Sequence, residues 1–283
     1  MSEQPTSMCP LHRLPGPSGG PLSARLGVAL YGLASYAVFF FAFCYAIGFV
    51  GNWLVPKGID DGTPIGLVPS LLINGALLSV FVVQHTVMAR PAFKRWWNTI
   101  VPEGTERATF VLLASASLLL VFWQWKPLPQ IVWHVEGVLG WALAGVSLTG
   151  WLIVLGSSFL INHFDLFGLR QVWLRFLGKG YTPVGFRLMG LYKVVRHPLM
   201  MGFLIAFWAT PTMTAGHLFF AVMTTGYIAF GVWMEERDLI AEHGEDYLEY
   251  KRNVRGVVPL PRFKKTEQQR AARATPAVAG GAS

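Results

Sequence analysis

The sequence predicts an all-α, polytopic membrane protein: a helix bundle with four spans, a C-terminal helical hairpin and a cytoplasmic amphipathic tail helix. Of its 283 residues, 53% are hydrophobic and only 13% are charged, and the mean hydropathy is +0.45. Soluble globular domains carry about 25% charged residues. Uncharged stretches long enough to cross a bilayer recur along the chain, and the basic residues are confined to alternate loops. Together these observations indicate a membrane fold.

Four uncharged stretches of roughly 20 residues match the hydrocarbon thickness of a bilayer. They are Gly27–Val50, Ile65–Ala89, Ala108–Trp125 and Gly137–Asn162. A fifth apolar stretch, Pro198–Met234, is too long for one crossing, and Pro211 and Gly216 interrupt it. Since proline and glycine interrupt helices, a helical hairpin is predicted, with a first arm about 21 Å long.

Polar segments flank the membrane domain, which is predicted to cover residues 26–263. A charged amphipathic helix is expected to begin at Glu235 and to break near Gly244. Residues 1–25 and 264–283 consist mainly of small and polar residues. Segments of this kind cannot bury enough apolar surface to fold, so both are predicted to be disordered cytoplasmic tails.

The lysines and arginines determine the expected orientation. All 23 except Lys57 and Lys126 fall in four segments on one predicted side of the membrane: 1–26, 90–107, 163–197 and 235–283. Cytoplasmic loops carry this excess of positive charge. We therefore expect a multi-pass protein of the inner (cytoplasmic) membrane with both termini in the cytoplasm, which requires an even number of crossings.

Polar residues cluster where predicted spans reach the cytoplasmic side. The four clusters are Gln84–His85, Asn162–Asp165, Arg196–Pro198 and Glu235–Asp238. Polar groups at membrane depth are costly and usually functional. Pro198 suits the first position of a helix, whose first-turn N–H groups can bind a carboxylate or phosphate, and Gly202 one turn later would leave room for a ligand.

Structural roles for the same residues remain open. His163 and Asp165 could cap a helix end, and Gln84 and His85 could form interhelical hydrogen bonds. Arg196 could simply extend to the membrane surface. The seven histidines contain no pair three to five residues apart, so no metal site is predicted.

The polar pattern of the C-terminal third resembles the isoprenylcysteine carboxyl methyltransferase superfamily. The matching residues are Arg196, His197, Pro198, Gly202, Glu235, Glu236, Tyr247 and Tyr250. Within that superfamily, the stretches Val83–Arg90 and Asn162–Val172 are similar to the bacterial methanethiol S-methyltransferases. Met200 departs from the pattern, because many members have an aromatic residue two positions after this proline.

The resemblance implies S-adenosylmethionine-dependent methylation of methanethiol to dimethyl sulfide at the cytoplasmic membrane face. On the acceptor side, Asp165 with His163 would be the base pair, Gln84 and His85 would position the thiol, and Arg170 would supply positive potential. The implied partners are a small-molecule thiol and the lipid bilayer, with no nucleic acid; the oligomeric state is not specified.

On the cofactor side, the resemblance assigns Arg196 and the helix start at Pro198 to the methionine carboxylate. Glu235 or Glu236 would bind the amino group or the ribose hydroxyls. The adenosine would be lined by His197, Gly202, Tyr247 and Tyr250. No metal ligand is implied.

Other functions fit the same pattern. The methyl acceptor could be another small thiol, a lipid or an isoprenylated group. Sterol-type reductases that use NADPH look similar in the C-terminal half. A small transporter or a non-catalytic membrane protein of nitrogen-oxide metabolism is a further alternative.

Overall fold

The computed structural model describes residues 20–182 and 190–258, so the predicted tails fall almost entirely outside the described residues. Its helices are α1 (Leu22–Gly51), α2 (Leu67–Ala89), α3 (Pro91–Trp97), α4 (Glu106–Gln124), α5 (Gly137–Ile161), α6 (His163–Leu166), α7 (Leu169–Phe176), α8 (Pro198–Trp208), α9 (Ala215–His243) and α10 (Glu245–Asn253), with a 3-10 turn at Gly190–Lys193. Two strands, β1 (Ile131–His134) and β2 (Thr212–Thr214), complete the described fold. Helices α1, α2, α4, α5 and α9 are long and apolar enough to cross a membrane, which confirms a polytopic helical protein.

The four predicted spans correspond to α1, α2, α4 and α5, with small shifts at their ends. The largest shift is at the first span, because α1 begins at Leu22, inside the segment predicted as a tail. Arg25 explains the earlier start: its guanidinium donates to the Phe176 carbonyl at the end of α7. Val172 of α7 also packs where a side chain at Gly32 of α1 would lie. Helix α7 thus supports the first turns of α1.

The predicted hairpin is present as α8 and α9. The segment that connects these helices contains β2, which pairs with β1 in the loop between α4 and α5. Strand β2 is antiparallel to β1, with His134 opposite Thr212 and Ile131 opposite Thr214. This two-stranded sheet was not expected from the sequence, which predicted an all-α fold. Helix α8 has 11 residues and is therefore about 17 Å long, shorter than a full span. Together with the segment up to β2 it still connects the start of α8 to the β1–β2 pair at the opposite end of the bundle, so α8 and α9 form a hairpin that returns the chain to the side from which it came.

The charged helix does not begin at Glu235, as the sequence predicted. Instead α9 continues without interruption to His243, and Gly244 separates it from α10. Gly244 has a φ of 55°, a backbone conformation that glycine adopts at little cost. Glu235 and Glu236 are therefore held on the last turns of a long helix.

The alternating helix directions bring several helix ends together. The C-terminal ends of α2, α5 and α9 lie with the N-terminal ends of α4 and α8, a region we call the cluster end. The opposite end of the bundle, formed around residues 52–66, 125–136 and 209–216, contains the aromatic core. Its buried large residues include Phe49, Phe122, Trp125, Phe207 and Phe220.

Candidate active site

Arg196 and Glu236 form the centre of the candidate site. The guanidinium donates to Glu236 Oε1 from Nε at 2.9 Å and from Nη2 at 2.6 Å. His197 Nε2 lies 3.2 Å from the same oxygen, and Lys251 Nζ lies 2.6 Å from Oε2. The third and fourth polar clusters therefore meet directly where α8, α9 and α10 join. We call these four residues, together with the neighbouring Glu235 and Tyr247, the junction.

The segment after α10 completes the junction through its backbone. The Arg196 N–H donates to the carbonyls of Arg255 and Gly256. Arg196 Nη1 donates to the carbonyls of Lys251 and Val254, at 3.1 and 2.5 Å. An arginine side chain has five N–H donors, and most of those of Arg196 bind the protein itself rather than remaining open to a ligand.

Glu235 and Glu236 differ sharply although they are adjacent. Glu236 is buried, and both of its carboxylate oxygens have cationic partners. About half of the Glu235 side chain is exposed (52%), and its carboxylate lies 3.5 Å from His197 Nδ1. Successive residues of an α-helix are rotated by about 100°, so Glu235, which follows the buried Ile228 by about two turns, lies on the same face of α9 as Ile228. Glu235 is therefore the carboxylate with capacity for a ligand.

Tyr247 contributes an unsatisfied hydroxyl beside these carboxylates. It is 4% exposed, and its hydroxyl has no hydrogen-bond partner within the described residues. Burial raises the pKa of Tyr247 to about 12, with a further contribution from Glu236. By contrast, the Tyr250 hydroxyl donates to the Tyr192 carbonyl at 2.7 Å. A buried hydroxyl without a partner costs about 1–3 kcal/mol, which a ligand with a hydrogen-bond acceptor would relieve.

Pro198 and Gly202 have structural roles in α8. Pro198 is the first residue of the helix, as predicted, and His197 precedes it as the N-cap. The expectation that Gly202 leaves room for a ligand is wrong. A β-carbon at Gly202 would lie 2.7 Å from the Gly150 carbonyl and 2.9 Å from Val154. The space is filled by α5, and glycine permits this close helix contact.

His163 has partners on both ring nitrogens. Nε2 lies 2.8 Å from the Tyr36 hydroxyl of α1, and Nδ1 lies 2.8 Å from Ser158 Oγ of α5. The Phe159 ring stacks on it at 4.2 Å, and burial lowers the pKa of His163. The predicted base pair of His163 with Asp165 is not formed, because α6 turns the two side chains toward different neighbours.

Asp165 is bound by residues that follow it closely in the chain. Its carboxylate accepts from Arg170 at 3.2 Å and from the Tyr181 hydroxyl at 3.0 Å. Burial raises the pKa of Tyr181, and the Asp165 charge raises it further. Arg170 also donates to the Thr182 carbonyl. The positive charge predicted at Arg170 is therefore largely balanced by Asp165.

Gln84 and His85 lie in the last turns of α2. His85 Nδ1 is 2.8 Å from the Tyr227 hydroxyl of α9. The amide nitrogen of Gln84 donates to the Met88 sulfur at 3.2 Å, whereas its Oε1 atom is buried and finds no partner among the described residues. The first cluster thus contains an amide oxygen that could accept a hydrogen bond from a ligand.

Arg107 connects the first and second clusters. Its guanidinium lies 5.2 Å from the centre of the Phe110 ring, which is 5.0 Å from the His85 ring. Arg107 Nε donates to the Leu166 carbonyl at 2.8 Å, one residue after Asp165. Helix α9 bonds to α2 through Tyr227 and His85, and it carries Glu236 of the junction. All four clusters are therefore connected at the cluster end.

Sequence reasoning missed Arg107, Tyr181, Tyr227 and Lys251. Arg107 was assigned to a loop because the third span was predicted to begin one residue later. Tyr227 lies inside an uninterrupted apolar stretch. A hydroxyl at membrane depth is itself an indication of a functional residue, and this was the one feature of the sequence that could have identified Tyr227. Lys251 is one of several charged residues in α10, and its sequence neighbours do not reveal that it reaches Glu236.

Comparison with known proteins supports a family assignment. Residues 72–258 match the NnrU protein family. The chain is 55% identical to methanethiol S-methyltransferase 2 of Bradyrhizobium diazoefficiens, over 83% of this chain and 91% of that protein. It is 52% identical to the methanethiol S-methyltransferase of Mycobacterium tuberculosis, over 82% and 96%. The corresponding Crocosphaera subtropica protein is 47% identical over 84% and 93%. No solved structure matches the chain.

The family match covers residues 72–258, and these relatives align over 82–84% of the chain. Together they confirm the family resemblance predicted from the polar clusters. The chain belongs to the NnrU protein family and, within it, to the group that contains the methanethiol S-methyltransferases.

Proposed function

We propose that this protein methylates methanethiol to dimethyl sulfide, using S-adenosylmethionine, at the cytoplasmic face of the inner membrane. The acceptor is the one named for relatives 52–55% identical to the chain. The observation that carries the proposal is the junction, in which a half-exposed carboxylate, Glu235, lies beside the unpartnered buried hydroxyl of Tyr247.

The residues of the junction fit this methyl donor. Glu235 would bind its amino group or its ribose hydroxyls, and Tyr247 would donate to one of its acceptor atoms. The first turn of α8 after Pro198 would receive the carboxylate, as helix N-termini do for anions. His197 and Tyr250 would line the adenosine, whereas Arg196 and Glu236 would hold the junction closed around it.

S-adenosylmethionine supplies a sulfonium methyl group when it is bound. The protein must hold the thiol sulfur in line with that methyl group, which is a positioning effect. The new carbon–sulfur bond uses the electron pair of the acceptor sulfur, and the electron pair of the broken bond remains on the departing S-adenosylhomocysteine. The thiol proton must leave to a base, because the thiolate is the nucleophile.

On the acceptor side, Asp165 is the proposed base and Arg107 the proposed source of positive potential. Gln84 Oε1 and His85 would orient the thiol. His163 would act indirectly, because its bonds to Tyr36 and Ser158 hold the turn that carries Asp165. A bundle interior that excludes water would also keep the reacting sulfur poorly solvated.

Placement in the inner membrane with cytoplasmic termini follows from charge. Within the described residues, every lysine and arginine except Lys57 and Lys126 lies in the segments at the cluster end, the pattern typical of cytoplasmic loops. Methanethiol is small and apolar, so it can reach a site among helices through the bilayer, and dimethyl sulfide can leave in the same way.

Gas chromatography of the headspace above membranes containing the protein tests this function. Membranes given methanethiol and methyl-deuterated S-adenosylmethionine should release trideuterated dimethyl sulfide, and membranes without the protein should not.

Glu235→Gln should weaken donor binding about 10- to 100-fold, the loss expected for one charged hydrogen bond of about 1.5–3 kcal/mol.

Two results would reject the proposal. One is absence of labelled dimethyl sulfide from folded protein that binds the donor, which would indicate a different acceptor. The other is absence of donor binding by calorimetry in folded wild-type protein, which would remove methyl transfer altogether.

A further inference from the structure

Tyr227 lies midway along α9 and has no part in the donor site. Its hydroxyl is 2.8 Å from His85 Nδ1 and 3.4 Å from Thr86 Oγ1. Inside a membrane bundle, polar side chains on facing helices seek such partners. The pair therefore joins α9 to α2 at the level of the first polar cluster.

Aromatic rings fix the His85 imidazole around this hydrogen bond. The Phe81, Phe110 and Tyr227 rings have their centres 5.4, 5.0 and 6.1 Å from the His85 ring. The two ring nitrogens then differ, because Nδ1 is bound by Tyr227. Among the hydrogen bonds of the described residues, 20–182 and 190–258, the His85 ring takes part only through Nδ1, which leaves Nε2 available.

Helix α9 relates this pair to the donor site. At about 100° per residue, Tyr227 and Glu236 lie on opposite faces of α9, with Glu235 between them. Arg90 and Asp238 form a second link between α2 and α9, at 3.1 Å. The same helix thus carries the donor-side carboxylates and the hydroxyl that holds His85.

We propose that Tyr227 is a positioning residue for methyl transfer: its hydroxyl fixes the His85 ring so that Nε2 faces the thiol acceptor. This inference rests on the proposed function, since it concerns the acceptor side of the same reaction. Tyr227 acts through His85 and does not itself touch the reacting atoms.

Tyr227→Phe removes only the hydroxyl, and Tyr31→Phe is the matched control. Tyr31 also joins two helices through its hydroxyl, which donates to Thr109 Oγ1 at 2.9 Å and not to His85. We expect Tyr227→Phe to lower kcat for dimethyl sulfide formation about 10- to 100-fold, because small misplacements of an orienting group have effects of this size. S-adenosylhomocysteine affinity and melting temperature should match those of Tyr31→Phe.

A double-mutant cycle separates positioning from a general structural role. In a His85→Ala background, Tyr227→Phe should have no further effect on kcat, whereas the effect of Tyr31→Phe should be unchanged. An equal effect of Tyr227→Phe with and without His85 would overturn the inference, and so would a kcat equal to that of Tyr31→Phe.

A second measurement does not depend on methyl transfer. The ¹⁵N chemical shift of His85 Nδ1 should change in Tyr227→Phe and remain at the wild-type value in Tyr31→Phe. An unchanged shift would reject the positioning role. A different outcome is that the shift changes in Tyr227→Phe but the folded wild-type protein forms no dimethyl sulfide. That outcome would confirm the contact between Tyr227 and His85, but it would reject the proposed function and with it the role of the contact in catalysis.

Discussion

At the end of the bundle opposite the cluster end, polar side chains bond mainly to backbone, whereas at the cluster end they bond largely to one another. The buried Asn74 both donates to and accepts from the backbone of Lys126, at 2.8 Å each. Lys57 Nζ donates to the carbonyls of Trp123 and Trp125, which end α4. His217 likewise pairs with the Phe207 carbonyl. These contacts satisfy backbone groups where helices end.

The cluster end has a different chemistry. Glu236 is bound by three basic side chains, and His85 and Tyr227 pair with each other. Among the described residues, buried polar atoms without a partner occur at both ends: Gln84 Oε1 and the Tyr247 hydroxyl at the cluster end, Ser70 Oγ and Trp125 Nε1 at the other. Polar groups that a fold does not need for its own backbone are the ones available for a ligand, so this contrast separates supporting residues from functional ones.

Glu236→Ala should have the largest effect, because it removes the centre of the junction. Breaking a buried ion pair by deleting one partner costs about 3–5 kcal/mol. Donor binding measured by calorimetry should be abolished, and the melting temperature should fall. Glu249→Ala, at an exposed position on α10, is the control and should retain both. Normal donor affinity in Glu236→Ala would show that the junction is not the donor site.

Asp165→Asn should act on turnover rather than on donor binding. The substitution keeps the shape of the side chain but removes the proposed base, so kcat should fall by about 10²-fold or more. Affinity for S-adenosylhomocysteine should remain near normal, because Asp165 lies on the acceptor side. A wild-type kcat would assign Asp165 to loop structure, through its bonds to Arg170 and Tyr181.

Asn74→Ala should affect stability and leave the chemistry intact. It removes two hydrogen bonds to the Lys126 backbone and leaves buried groups unpaired, which should cost about 2–3 kcal/mol. Thermal unfolding in detergent should therefore begin at lower temperature, while kcat at a permissive temperature stays at the wild-type value. A specific loss of kcat without a loss of stability would contradict the division between the two ends.

Arg252→Ala should have the smallest effect. Arg252 pairs with Glu245, but both side chains are mainly exposed, and exposed ion pairs contribute little to stability. Melting temperature, donor affinity and kcat should all match the wild type. A clear loss of donor affinity would extend the functional region along α10 beyond Lys251.

The sequence was sufficient to predict the spans, the hairpin and the meeting of the four polar clusters. Long apolar stretches and glycine or proline breaks are local signals, and they survive folding because the bilayer imposes the same requirement on every span. The β1–β2 pairing and the continuation of α9 beyond Glu235 were missed, because neither a short strand pair nor an uninterrupted helix end has a strong local signal.

Assignments of individual side chains were less predictable. Gly202 looked like space for a ligand, yet Gly150 of α5 fills it. His163 and Asp165 are two residues apart in sequence but face different partners. Spacing along the chain specifies the helix face on which a side chain lies, but not the neighbour that packs against that face.

By itself, the sequence determined that this chain is a multi-span helical protein whose polar residues gather at one end, because hydropathy and helix breaks act locally. Only the tertiary structure decided that Glu236 is occupied by Arg196 and Lys251 while Glu235 stays accessible. Adjacent residues on a helix point about 100° apart, so two neighbouring carboxylates face different surroundings, and those surroundings come from distant parts of the chain.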